Sequence, residues 1–135
     1  MFTFSKNERL CSQNIIERLY ASRLRTLVFP ISAHWLFVEE NEAPARLQVV
    51  IVAPKKKLHH AVDRNRTKRL MRECYRLRKG ALIEALEKEH KAMALSLNYI
   101  HTETPDYWKL SASFDKLIAE LTKQITPQKN EGELQ

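Results

Sequence analysis

The sequence predicts a single-domain α/β (α+β) fold, a two-layer sandwich with element order αβββαβα, and three observations point to it. At 135 residues the chain has the length of one domain and can bury roughly two thirds of its unfolded surface. It is 44% hydrophobic and 29% charged, the balance of a globular protein and not of a disordered one. Apolar runs of strand length alternate with amphipathic helical stretches, with no internal repeat or low-complexity block, as expected of helices laid on a sheet.

Ser5 to Tyr20 reads as a helix, because Leu10, Ile15, Ile16 and Leu19 recur at roughly helical spacing among polar residues. TLVFPISAHWLFVE, Thr26 to Glu39, is rich in β-branched and aromatic residues and reads as strand. Pro30 demotes its beginning to an edge or a bend. ENEAPA, residues 40–45, is an acidic turn carrying Pro44. The continuous apolar run from Arg46 to Pro54 predicts a central strand buried on both faces. A helix is then expected from about His60 to Lys79, interrupted near Gly80, with Ala81 to His90 as a second helix turning Leu82 and Leu86 inward. AMALSLNYI, residues 92–100, reads as strand despite its Ala and Met. Pro105 opens a last helix whose core face would hold Trp108, Phe114, Leu117, Ile118 and Leu121. One domain thus spans residues 1–125, and the polar tail 126–135, TPQKNEGELQ, reads as disordered.

The formal net charge of +7 favours an anionic partner, and its distribution says more. Residues 55–79 hold eleven Lys and Arg against only Asp63 and Glu73, while the rest of the chain carries 12 basic and 14 acidic residues. All of the excess positive charge therefore lies in one fifth of the sequence. Cys11 and Cys74 have neither CxxC nor metal-type spacing and read as reduced thiols. With no signal-like N-terminal run and no stretch near the ~20 apolar residues of a membrane span, a cytoplasmic protein without membrane contact is expected.

On a helical projection Arg64, Lys68, Arg72, Asn65, Arg76 and Arg69 fall within an arc of about 140°, with Leu70, Cys74 and Leu77 opposite. Solvated helix faces usually alternate in sign, whereas Arg64, Lys68 and Arg72 are like charges at i,i+4 spacing that repel unless an anion lies between them. A membrane-surface helix would need a bulky apolar face free to insert, and this helix has only enough for internal packing. Nucleic acid fits better: guanidinium groups fork onto phosphate oxygens, and an amide reads a base edge or a 2′-hydroxyl. Lys55 and Lys56 in PKKK add a second phosphate-binding element just before the helix.

The string PKKKLHHAVDRNRTKRLMRE resembles the signature of the bacterial ribonuclease P protein component: paired lysines, a spacer, then A-V-x-R-N-R-x-K-R-x-x-R-E. Ala61, Val62, Arg64, Asn65, Arg66, Lys68, Arg69, Arg72 and Glu73 match its fixed positions in register. The resemblance implies the fold of the second domain of a small-subunit ribosomal protein, with a left-handed βαβ crossover against the general rule. It also implies that the polypeptide does not cut RNA. A catalytic RNA subunit, holding Mg²⁺ ions at its own active site, would remove the 5′ leader from precursor tRNA. The protein would bind that subunit through Arg64, Asn65, Arg66, Lys68, Arg69, Arg72 and Arg76. A cleft between the first helix and the sheet would hold the single-stranded leader, with Lys55 and Lys56 engaging it as well.

The family usually places F-x-x-x-F on the first helix so that unpaired bases can stack; here the matching positions are Ile16 and Tyr20. A further family aromatic aligns best with Phe37, and Trp35 shares its face by strand alternation. For both, plain core packing is the competing reading. The family's glycine after the lysine pair is absent, and His59 and His60 stand in that neighbourhood as loop residues or phosphate neighbours, without the partners a metal site needs.

Nothing in the sequence reads as catalytic. Two-metal phosphodiester cleavage needs several carboxylates converging on ions roughly 4 Å apart. Asp63 and Glu73 instead lie nearly three helical turns apart, and two glycines cannot make a phosphate-cradling loop. The alternative function is a structured-RNA binder of ribosomal type without a part in cleavage. A duplex-DNA reader comes third, since no second helix or dimer zipper is evident to position the basic helix in a groove.

Overall fold

The computed structural model describes residues 8–10, 12–42 and 45–126. The elements follow as α1 (Gln13–Ala21), β1 (Arg25–Val28), β2 (Ile31–Val38), β3 (Leu47–Val52), α2 (Ala61–Glu89), β4 (Ala92–Tyr99) and α3 (Tyr107–Ile125), which is the expected mixed α/β order. The four strands form one sheet in the order β1-β2-β4-β3. Neighbours run antiparallel except β3 and β4, which are parallel. Helix α2 is the crossover that parallel pairing requires.

Alternation along the strands divides the apolar residues between two faces. Ile31, Ala33 and Trp35 of β2, Val49 of β3, and Met93, Leu95, Leu97 and Tyr99 of β4 join residues of α2 and α3 in the main core. The other face carries Leu36, Val38, Ala92 and Ala94, onto which α1 brings Ile15 and Leu19. Each fully buried Leu, Ile or Phe contributes roughly 1.5–3 kcal/mol of transfer free energy. Ser12 caps α1 by accepting from the Ile15 amide, and Asp106 caps α3 by accepting from the Lys109 amide, each supplying an acceptor to an otherwise orphaned N–H.

Several elements differ from the sequence expectation, each for a local reason. Within the expected Ser5–Tyr20 helix, Arg9 and Leu10 are not helical and α1 begins only at Gln13: Arg9 bridges to Val49, and the Leu10 amide donates to the Val49 carbonyl at 3.0 Å. Thr26–Glu39 is two strands, because the chain reverses at Phe29–Pro30, whose peptide bond is cis. The Leu47–Val52 strand lies at the sheet edge, and β4 takes the interior place. Arg9 partly shields that edge. Gly80 does not interrupt α2, which runs unbroken for 29 residues; a glycine costs a helix only about 1 kcal/mol, and packing on both sides outweighs it. Trp108 is 76% exposed rather than core, and Leu110 takes the inward place ahead of Phe114. The tail expected to be disordered lies, from residue 127 on, outside the described residues, as does Cys11. Cys74 is buried with a free thiol, and burial raises its pKa.

Candidate nucleic-acid interface

Helix α2 buries Thr67, Met71, Cys74, Tyr75, Lys79, Leu82 and Leu86 against the sheet and α3. That stripe is rotated from the one centred on Leu70, Cys74 and Leu77. Leu77 is 42% exposed, and Arg66 joins Asn65, Arg69 and Arg72 on the outward side.

The cations sort into two groups by what they touch. The Arg64 guanidinium donates to the Leu58 and His59 carbonyls at 2.9 and 2.8 Å, fixing the turn that leads into α2. Arg76 pairs with Glu73 at 2.7 Å; its hydrogen bond holds the Glu73 carboxyl below the usual range. Arg78 bonds Asp115, Ser111 and the Cys74 carbonyl, tying α2 to α3. Lys79 is buried against Glu8, with Nζ 2.7 and 2.8 Å from its two carboxylate oxygens. By contrast Arg66, Lys68, Arg69 and Arg72 pair with no carboxylate among the described residues. Like charges held together without compensation leave a surface whose lowest-energy state includes an anion.

The second region is the sheet face that α1 covers only in part. Tyr20, at the end of α1, is 46% exposed. Its hydroxyl hydrogen-bonds Ser96 Oγ at 2.6 Å and donates to Asn98 Oδ1 at 3.2 Å. Its ring lies against His34 at 5.1 Å between centroids, tilted by 56°. The His34 Nδ1 is buried without a partner, and burial, aided by the positive charge of Arg25, lowers the imidazole pKa. Beyond Tyr20 the register aligns Val52, Asn98, Ser32 and Leu27 in one row across all four strands. Ile16 is half-buried beside the α1 cluster.

Trp35 and Phe37 are not part of this cleft, and the expectation that they line it is corrected. They point to the opposite face, where their rings meet edge-on at 5.5 Å. Trp35 is buried and donates to Thr26 Oγ1 at 3.2 Å, while Lys91 Nζ stands 4.5 Å over the Phe37 ring. The residues that β2 turns toward Tyr20 are Ser32, His34 and Leu36. Alternation alone pointed to them; only the choice of which set faced inward was missing.

Lys55 and Lys56 are exposed in a turn closed by the Lys57 and Leu58 amides, each donating to the Pro54 carbonyl at 3.1 Å. That turn follows Val52, so the lysines and the start of α2 adjoin the β3 end of the Val52–Leu27 row. Among the described residues no group of three or more His, Cys, Asp or Glu could hold a metal ion. No helix among them is long and apolar enough to cross a membrane.

Comparison with known proteins bears on this geometry. The family model described as Ribonuclease P matches residues 4–122. The ribonuclease P protein component of Porphyromonas gingivalis is 30% identical over 124 residues, covering 92% of this chain and 90% of that one. That of Chlorobaculum tepidum is 34% identical over 93 residues, 64% of this chain and 60% of the other. Among solved structures, the Staphylococcus aureus RNase P protein superposes with a TM-score of 0.63 at 17% identity, over 85% of this chain and 95% of that one.

Proposed function

The chain belongs to the bacterial ribonuclease P protein family, and from that premise we propose that its outward α2 face holds the RNA subunit while its open sheet face holds the 5′ leader of precursor tRNA. Membership makes it the accessory protein subunit of a ribonucleoprotein that processes tRNA, with the RNA subunit as its partner. The observation that carries the finer reading is the unpaired set Arg66, Lys68, Arg69 and Arg72 beside a half-open, partly polar sheet face.

Arg66, Lys68, Arg69 and Arg72 neutralise RNA-subunit phosphates, Asn65 offers both a donor and an acceptor, and Arg64 and Arg76 steady the helix that presents them. Lys55 and Lys56 stand where a strand would pass from the RNA subunit onto the sheet. Tyr20 offers a ring face to an unpaired base, its hydroxyl already anchored by Ser96 and Asn98. Holding substrate at two points orients the scissile phosphate, which is the main catalytic help a non-reacting subunit can give. The chemistry then belongs to the RNA and the Mg²⁺ it binds, and the assembly works in the cytoplasm.

Tyr20→Ala tests the cleft. Loss of one stacking platform is worth about 1–3 kcal/mol per base, and Tyr20 is only half-buried, so precursor binding by the holoenzyme should weaken about tenfold. Mature tRNA binding should stay unchanged, as measured by competition between the two RNAs. Equal loss for both would make Tyr20 a packing residue.

A further inference from the structure

Beyond the leader cleft, we propose that the pocket between the Phe29–Pro30 turn and the loop before α3 receives one unpaired base of the leader after the strand has crossed the sheet. The inference rests on the cleft reading and extends it to a second, separate subsite. Three observations carry it.

The first is a cavity of about 450 Å³ lined by Phe29, Pro30, Tyr99, His101, Pro105 and Lys109 among others, a size suited to a small planar group. The Phe29 ring is 60% exposed and lies 5.1 Å from the His101 ring, tilted by 58°. Two rings so placed present an edge and a face to a third. The second is that the site is held in place before anything binds. Ser113 Oγ donates to the Phe29 carbonyl at 3.0 Å, and the Tyr99 hydroxyl donates to the Glu103 carbonyl at 2.5 Å. An exposed phenylalanine fixed by α3 on one side gains nothing for the fold by its exposure.

The third is continuity. The row Val52, Asn98, Ser32, Leu27 crosses the sheet from the β3 side, where Lys55, Lys56 and α2 stand, to the β1 side. At ordinary strand spacing that path is roughly 14 Å long. It ends on Leu27, 55% exposed, two residues before Phe29. A leader entering from the α2 side along this row reaches the Phe29 turn on the α1 face and passes around that turn to the pocket, which Tyr99 and Leu110 line from the α3 side. The charges around the pocket select a base over a phosphate: Glu103 and Asp106 repel backbone oxygens, Asp106 being engaged by the Lys109 amide at 3.1 Å. Among the described residues, Lys109 and His101 are the only basic groups lining it.

The test uses the assembled holoenzyme and two precursor tRNAs, with leaders of about three and about eight nucleotides, the longer one within the span a single-strand site covers. Wild-type protein should bind the longer precursor about five- to tenfold more tightly. Phe29→Ala should remove most of that gain and leave the short precursor unaffected, and Phe29→Tyr should keep it. Equal weakening of both precursors, or no change in either, would overturn the subsite. Tyr20→Ala run in parallel separates the two readings: it should weaken short and long precursors alike. If it does so while Phe29→Ala changes nothing, the pocket is wrong and the cleft stands; if Tyr20→Ala changes nothing, the cleft itself falls.

Discussion

Replacing Arg69 and Arg72 together by alanine is expected to weaken binding of the RNA subunit by more than a hundredfold. Each guanidinium is exposed and without a carboxylate partner among the described residues, so its hydrogen bonds are made only in the complex. A charge-assisted bond of this kind contributes about 1.5–3 kcal/mol, and two contribute at least about 3 kcal/mol, a factor above 10². The salt dependence should change with it. Each phosphate contact adds about 0.7–0.9 to the slope of log K against log salt, so the double variant should flatten that slope by about two. Thermal stability should hardly move, since exposed substitutions away from packing lie within about 0.5 kcal/mol. Titration of labelled RNA subunit at several salt concentrations checks it. An unchanged slope would remove this face from the interface. Arg64→Ala should behave differently: it releases the Leu58 and His59 carbonyls, so it should lower stability as well as affinity.

The second large effect concerns a cation that the sequence places in the same basic run but the fold withdraws from it. Lys79 is 5% exposed, its ammonium held by both oxygens of Glu8. Glu8→Ala would leave that ammonium buried without its carboxylate, a change that typically costs about 3–5 kcal/mol. For a chain of this size that corresponds to roughly 10–20 °C in Tm. The same carboxylate adds to the burial that already pushes the Tyr75 hydroxyl far up from its ordinary pKa, so Glu8 sits amid a buried polar cluster under α2. Replacing both members, Glu8→Leu with Lys79→Met, should recover most of the loss, because apolar residues of similar volume often substitute for a buried pair at no cost. Circular dichroism melts of the two variants decide it. A Glu8→Ala protein that melts like wild type would mean that the pair is not formed.

Much of the fold is legible in the sequence, and the misses share a cause. Helix α3 and strand β4 read correctly because their apolar residues recur at helical and strand spacing over many positions. The Phe29–Pro30 reversal and the edge position of β3 depend on which strand pairs with which, and that is set by long-range contacts that no window of sequence contains. Gly80 reads as a break because propensity is local, yet the residues around it, Cys74, Tyr75, Lys79 and Leu82, are buried on one continuous stripe.

The candidate site divides the same way. The concentration of charge marks α2 without any structure. Which cations are available does not follow, because the carboxylates that engage Lys79 and Arg78, Glu8 and Asp115, lie 71 and 37 residues away. On β2 the alternation separates Trp35 and Phe37 from His34 and Leu36, but both sets are apolar or aromatic enough to be core. Only the position of α1 decides between them. His34, Ser96, Asn98 and Phe29 carry no motif and become visible through register alone.

The most direct test of the central claim, that this polypeptide positions RNA for a reaction performed by RNA, is cleavage of a 5′-labelled precursor tRNA at low magnesium. Protein alone, RNA subunit from the same organism alone, and the two together would be compared. The account predicts cleavage at the mature 5′ end in the mixture only, with protein alone inert. Cleavage by the protein alone, or tight RNA binding that never stimulates cleavage, would contradict it.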